Sequence, residues 1–204
     1  IGRYGIGSAF AFYPNKQITT GEGGMVVTDD ENLAKFARSL RNQGRSETDD
    51  WLDHTQLGYN YRLDELSAAL GLVQLGRIEE ILNKRSSVAL KYNNLINQIH
   101  GVEHLKIEKY VSRMSWFVYV VVLKEGINRN LVLEKLGKAG IQAKPYFPPI
   151  HLQPFYVKQF GYREGDFPIT ENISKRTIAL PFFNNISDKE IEYVCEKLKE
   201  IIKG

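Results

Sequence analysis

Residues 11–24, AFYPNKQITTGEGG, place one lysine, Lys16, between an aromatic, proline-tipped approach and a run of small and hydroxylated residues that ends in two glycines. A lysine that serves only a solvated surface needs no such setting, because its long stem carries the ammonium into water from almost any backbone. A lysine that reacts as an amine does, since it must lose its proton near neutral pH, which takes desolvation or a nearby positive charge. Phe12, Tyr13 and Pro14 are the apolar wall available for that. The stretch Thr20-Gly21-Glu22-Gly23-Gly24 lets the backbone turn tightly and approach a flat ligand where a Cβ would collide, with Thr19 and Thr20 as hydroxyl donors beside it. Taken alone the pattern is weak: most lysines are surface residues, and the surface reading outweighs the reactive one by roughly ten to one.

Downstream, GGMVVT at 23–28 reads as a buried strand. Thr28 with Glu31 forms a capping-box pattern, and Leu33, Phe36, Ala37 and Leu40 share one face before Gly44 supplies a stop, so a strand feeds directly into a helix and suggests an α/β layer. From Asp64 to about Ile99 the pattern is helical without a proline. A helix of that length would reach roughly 50 Å at about 1.5 Å per residue, which predicts that it bends or links two domains. Residues 115–123, SWFVYVVVL, are the strongest strand signal, and a second domain is expected to start near them. A helix over about 128–139 ends at Gly140. The aromatic and proline-rich stretch 145–168 has little periodicity and reads as a long loop, a length that is uncommon without a function. A last helix opens with Ser187 and Glu190 as a capping box and carries Ile191, Val194, Cys195, Leu198, Ile201 and Ile202 on one side.

Composition narrows the function class. With 43% apolar residues, 25% charged residues and a net charge of +3, the 204-residue chain is neither disordered nor fibrous. Lys and Arg are scattered among Asp and Glu, so no basic block points to nucleic acid or to a membrane surface, while an anionic small ligand stays compatible. One cysteine, Cys195, excludes an internal disulfide framework and fits a reducing compartment, with cytoplasm as the default. No segment approaches the length that spans a bilayer. The chain opens at Ile1, without an initiating Met, on what reads as mid-domain sequence, and is expected to be the back part of a longer protein.

The motif at 12–24 resembles that of the DegT-type (StrS-like) nucleotide-sugar aminotransferases, pyridoxal-phosphate enzymes of the aspartate-aminotransferase fold: an aromatic pair, a short link, Asn-Lys, then Thr-Thr-Gly-Glu-Gly-Gly. LRNQG at 40–44, GYNYR at 58–62, DELSAALGLVQL at 64–75, YFPPIHLQP at 146–154 and LPFF at 180–183 look like successive landmarks of that family in order. The resemblance covers essentially the whole chain. It implies the C-terminal part of a fold type I transferase, α/β at first and α+β in the small domain: 1–63 as the end of the large cofactor-binding domain, 64–99 as a long linking helix, and 100–204 as the small domain.

By that resemblance Lys16 is the Schiff-base lysine that holds pyridoxal phosphate and then moves the proton at the amino-acid Cα. A side branch of the family replaces this lysine and dehydrates sugars, so its retention favours transamination between an amino acid such as glutamate and a nucleotide-linked keto-sugar. Asn60 is implied to reach the cofactor phosphate of a neighbouring subunit, which makes the expected assembly a homodimer with a shared site. From propensity alone, Gly58 and Asn60 would suit a turn instead. Many members have a serine at the position of Ala11 that binds the phosphate; Ala11 has no side-chain donor, so phosphate binding falls to backbone N–H groups, Asn60 and other residues.

His151, in the aromatic loop that the family brings to the mouth of its site, stands at even odds between substrate contact and packed loop residue, and Tyr146 shares that status. HGVEH at 100–104 spaces two histidines four apart, but Gly101 weakens a helix there and no metal is assigned. Cys195 reads as core. The region that in the family supplies the stacking ring, the carboxylate on the pyridine nitrogen and part of the phosphate cup has no counterpart among the fifteen residues before Lys16. The chain alone is therefore expected to bind cofactor poorly and turn over nothing. The competing readings are a non-catalytic interaction module that keeps the fold, and the dehydratase branch.

Overall fold

Asp30, rather than Thr28, starts the first helix. In the computed structural model, which describes residues 4–46 and 53–203, the Asp30 carboxylate accepts the N–H groups of Asn32 (2.8 Å) and Leu33 (3.0 Å). Thr28 sits one step earlier: its hydroxyl accepts the Asp30 N–H and donates to the Ile6 carbonyl. Asp caps at least as well as Thr and lies directly before the helical run, so it displaces the expected Thr28–Glu31 box.

The chain forms two compact units, Ile1–Glu79 and Glu80–Gly204. In the first, β1 (Ser8–Ala11) and β2 (Gly24–Val27) pair antiparallel with Ala11 opposite Gly24, followed by α1 (Glu31–Arg41) and α2 (Glu65–Gly76). All four residues of β2 are exposed, against the expectation of a buried strand, and α2 has no buried residue. Two motifs lock together by backbone. The Tyr59 N–H donates to the Leu40 carbonyl, Tyr61 to Arg41, and Gln43 to the Tyr59 carbonyl. A Cβ on Gly58 would lie 2.1 Å from the Gly44 nitrogen, so only glycine permits the contact between LRNQG and GYNYR.

The helical run from Asp64 is two helices: α2 ends at Gly76, Arg77 leaves helical geometry (φ −103°, ψ 8°), and α3 (Ile78–Ile96) follows. In the second unit, β3 (Val102–His104), β4 (Tyr119–Leu123), β5 (Lys144–Pro145) and β6 (Thr177–Leu180) form one antiparallel sheet in the order β3-β4-β6-β5. β4, the core of the SWFVYVVVL signal, is central, with Tyr119 opposite Leu180. Its near-continuous apolar run matches burial on both faces. The core joins it to Val88, Tyr92 and Ile96 of α3, Val132 and Leu136 of α4 (Arg129–Lys138), and Ile191, Val194, Cys195 and Leu198 of α7 (Asp188–Lys203). The Tyr92 and Tyr119 rings stack at 4.7 Å, and their hydroxyls donate to the Pro181 carbonyl and to Asn93. Burial raises both phenols and pushes the Cys195 thiol up to about 12, which suits a core residue.

The Ser187–Glu190 capping box closes as expected: the Ser187 N–H donates to the Glu190 carboxylate at 2.7 Å and the Glu190 N–H returns to Ser187 Oγ. The stretch 145–168 is not one long loop. It holds a 3-10 turn at Ile150–Leu152 and α5 (Pro154–Phe160), and Pro168 opens α6 (Pro168–Ser174). Among the described residues no helix is long and apolar enough to cross a membrane.

The cap assignment sets the first prediction. Asp30→Ala should destabilise the first unit by about 1 kcal/mol in chemical denaturation, whereas Glu31→Gln should change it by only a few tenths, about the dipole contribution of one exposed charge. The reverse ranking would restore the Thr28–Glu31 box.

Candidate active site

Lys16 sits on a loop that closes at Phe12. The β1–β2 ladder is continued by the Phe12 N–H to the Gly23 carbonyl (2.9 Å), and the Phe12 carbonyl then accepts twice, from the Thr20 N–H (3.0 Å) and the Thr19 hydroxyl (2.9 Å). Within this closure the Lys16 N–H turns back to the Tyr13 carbonyl at 3.0 Å. The Thr19 N–H reaches out to Gln74 Oε1 on α2 (3.1 Å). Lys16 and Phe12 are half-buried, while Tyr13 and Pro14 are exposed, so the expected apolar wall is reduced to Phe12 within this chain.

The hydroxyl and glycine positions serve the loop itself, which corrects the expected roles. Thr19 donates to Phe12 and accepts the Gly21 N–H, and Thr20 donates to the Glu22 carbonyl at 2.6 Å. Gly23, at φ 144°, could carry no Cβ, which would meet Thr20 Oγ1 at 2.6 Å and Leu63 at 3.0 Å. Ala11 ends β1, exposed, with its backbone in the ladder.

Asn60 lies in an antiparallel bridge with Asn42. Neither Gly58 nor Asn60 has positive φ, so the turn suggested by propensity is not formed. Tyr59 and Tyr61 stack at 5.0 Å on either side of Asn60 in the chain, and the Asn60 side-chain amide has no partner among the described residues. That leaves two N–H donors and a carbonyl available.

Tyr146 and His151 belong to the second unit. Tyr146 is half-buried against Phe147, with ring centroids 4.3 Å apart, and its carbonyl accepts the Thr177 hydroxyl. His151 is only 8% exposed. Its Nε2 bonds Glu171 Oε1 at 3.0 Å, and its ring meets Phe167 and Tyr162 edge-on. Glu171, which the sequence reading passed over, also accepts the N–H groups of Gly165 (3.0 Å) and Phe167 (3.2 Å). It thus ties the 3-10 turn to the loop before α6. The Gly165 N–H, foremost, with His151 and Phe167, holds the carboxyl below its ordinary range against the opposing effect of burial. LPFF is also structural: the Pro181 carbonyl receives Tyr92, and Phe182 lies 5.3 Å under the Arg85 guanidinium, which donates to the Trp116 carbonyl at 3.0 Å.

An amine on a loop tied on both sides is the kind of group a covalent carbonyl cofactor uses. The description of the DegT/DnrJ/EryC1/StrS aminotransferase family matches residues 1–199, and the chain belongs to that family. It is 36% identical to the spore coat polysaccharide biosynthesis protein SpsC of Bacillus subtilis, over 100% of this chain and 56% of that protein. It is 33% identical to GDP-perosamine synthase of Escherichia coli O157:H7, over 98% of this chain and 53% of that protein. Among solved structures, the PLP form of Spr1654 from Streptococcus pneumoniae superposes with a TM-score of 0.89 at 26% identity, over 99% of this chain and 53% of that one. The fold is therefore the aspartate-aminotransferase-like one expected, and the chain spans about half the length of the curated relatives it matches.

A lowered carboxyl contributes stability that is present above its unfolded pKa and lost as pH falls through the folded one. Glu171→Gln should therefore flatten the pH dependence of thermal unfolding below the ordinary carboxylate range, while also lowering stability at pH 7. Parallel wild-type and variant melting curves from pH 7 to 3 would contradict the anchor role of Glu171.

Proposed function

We propose that this chain carries the lysine-bearing part of a pyridoxal-phosphate-dependent aminotransferase that acts on a nucleotide-linked keto-sugar with an amino-acid donor such as glutamate. The observation that carries the reading is Lys16, half-buried on a loop fixed at Phe12, Thr19 and Gln74, inside a family match that runs from residue 1 to 199. The residues fit two parts of such a shared arrangement: Lys16 offers an amine to bind an aldehyde, and Asn60 offers an amide free to donate to the cofactor phosphate of the neighbouring subunit. Tyr146 is assigned to substrate binding from the family resemblance, and His151 supports the same loop through Glu171.

The chemistry that the cofactor supplies when bound is electron withdrawal that makes the amino-acid Cα proton removable. Lys16 Nζ would hold the cofactor, and once released it would accept that proton and pass it on. The loop bonds keep the backbone still while the side chain moves. A homodimer with a shared site is supported by the apolar surface that β2 and α2 leave exposed, since patches of that kind mark interfaces.

Mixing pyridoxal phosphate with the chain, or with a longer protein that contains it, should give a borohydride-reducible adduct at Lys16 by peptide mapping. Lys16→Ala should abolish both the adduct and glutamate-dependent turnover of the longer protein, a loss of at least about a thousandfold for a residue that is anchor and base at once. Labelling at another lysine would overturn the assignment. Keto-sugar conversion without glutamate consumption would place the protein in the dehydratase branch, and the absence of any adduct would favour an interaction module.

A further inference from the structure

Between Ser67 and Arg77 the apolar helix α2 carries one polar side chain, Gln74. Gly71 stands three residues before it, on the same face. Both meet the lysine loop. Gln74 Oε1 accepts the Thr19 N–H at 3.1 Å, and a Cβ on Gly71 would lie 2.9 Å from Thr20 Cγ2. Thr20 has little room to yield: it is only 5% exposed, and its hydroxyl donates to the Glu22 carbonyl at 2.6 Å. One turn of α2 thus offers two consecutive loop residues a bare backbone that allows close approach and an acceptor that fixes register. Thr19 passes the constraint on. Its hydroxyl donates to the Phe12 carbonyl and accepts the Gly21 N–H, so the residue that closes the loop from within is the one α2 holds from outside. Lys16 lies three positions before it, inside that closure.

We propose that Gln74 and Gly71 are positioning residues for Lys16, which set where its amine stands and leave its accessibility unchanged. Neither touches a reacting atom; both act through Thr19 and Thr20. The inference rests on the reading of Lys16 as the lysine that binds the cofactor aldehyde. A reaction between two held partners is sensitive to placement, and a displacement of about 1 Å can cost it about a hundredfold. A small aldehyde that diffuses freely to the same amine makes no such demand. The pair of reagents therefore separates placement from exposure.

The test uses the longer protein that contains this chain, labelled at Lys16 in parallel by pyridoxal phosphate with borohydride and by formaldehyde with cyanoborohydride, with the exposed Lys35 as internal reference. Gln74→Met keeps length and helix propensity but removes the acceptor. It should slow formation of the pyridoxal phosphate adduct about tenfold, the size of one lost hydrogen bond at the upper end of its range, and speed exchange of the Thr19 amide, while methylation of Lys16 relative to Lys35 stays as in the unaltered protein. Gln74→Glu retains an acceptor at the same reach and should recover most of the adduct rate. Gly71→Ala should reproduce the loss from the other half of the contact, and it keeps the test open if Gln74→Met folds poorly. An unchanged adduct rate in Gln74→Met despite faster Thr19 exchange, equal losses with both reagents, or a Gln74→Glu protein no better than Gln74→Met would overturn the inference and leave the Lys16 reading standing. Absence of any Lys16 adduct in the unaltered protein would remove that reading and this inference together.

Discussion

The carbonyl of Phe12, accepting from both Thr19 and Thr20, is the constraint on which the lysine loop depends. A lysine side chain has large rotamer freedom, and its amine can be placed reproducibly only if the backbone beneath it is fixed. The loop meets this by closing on itself, continuing the β ladder through Phe12 and Gly23, and handing the one outward N–H of Thr19 to Gln74. The small and hydroxylated residues around Lys16 are thus explained by the loop's own hydrogen bonds. A motif that first reads as a list of ligand contacts is mostly the means of holding one side chain.

The second unit solves a comparable problem with different chemistry. A proline-rich stretch has few backbone donors to spend on regular structure. Glu171 compensates by gathering the N–H groups of Gly165 and Phe167 and the His151 ring into one buried carboxylate. In the same unit, the antiparallel sheet and the stacked Tyr92 and Tyr119 form the buried core. Arg85 is buried there with no carboxylate partner among the described residues, its guanidinium over the Phe182 ring and donating to the Trp116 carbonyl, and burial lowers its pKa.

What could be read from sequence follows the range of the forces involved. The α4 and α7 helices were legible because caps and periodicity act within one or two turns, and Ser187–Glu190 closed as its spacing required. The Thr28–Glu31 box failed on equally local grounds, since Asp30 stands nearer the helix and competes for the same N–H groups. The short helix within 145–168 and the one that starts at its end carried a signal, proline at the first helical position in Pro154 and Pro168, that the aromatic composition obscured. The Gly44–Gly58 contact and the Glu171 hub join residues far apart in sequence, and no periodicity announces such meetings. The lysine loop was legible as a motif because its bonds are local; Gln74, which steadies it, lies fifty-five positions beyond Thr19 and was not legible.

The exposed surfaces of the first unit bear on the same loop. A two-stranded hairpin is marginal in water by itself, and here β2 leaves Met25, Val26 and Val27 about half exposed while α2 exposes Leu66, Leu72 and Val73. The closure at Phe12 is the last rung of that hairpin, so fraying of β1 from β2 would open it and release Lys16 from its position. Whatever surface covers β2 and α2 therefore does more than hide apolar area. It suppresses the fraying, and through the Thr19–Gln74 bond it steadies the loop from the α2 side as well. Burial of β2 and α2 and the placement of Lys16 are thus coupled within the first unit through one short ladder.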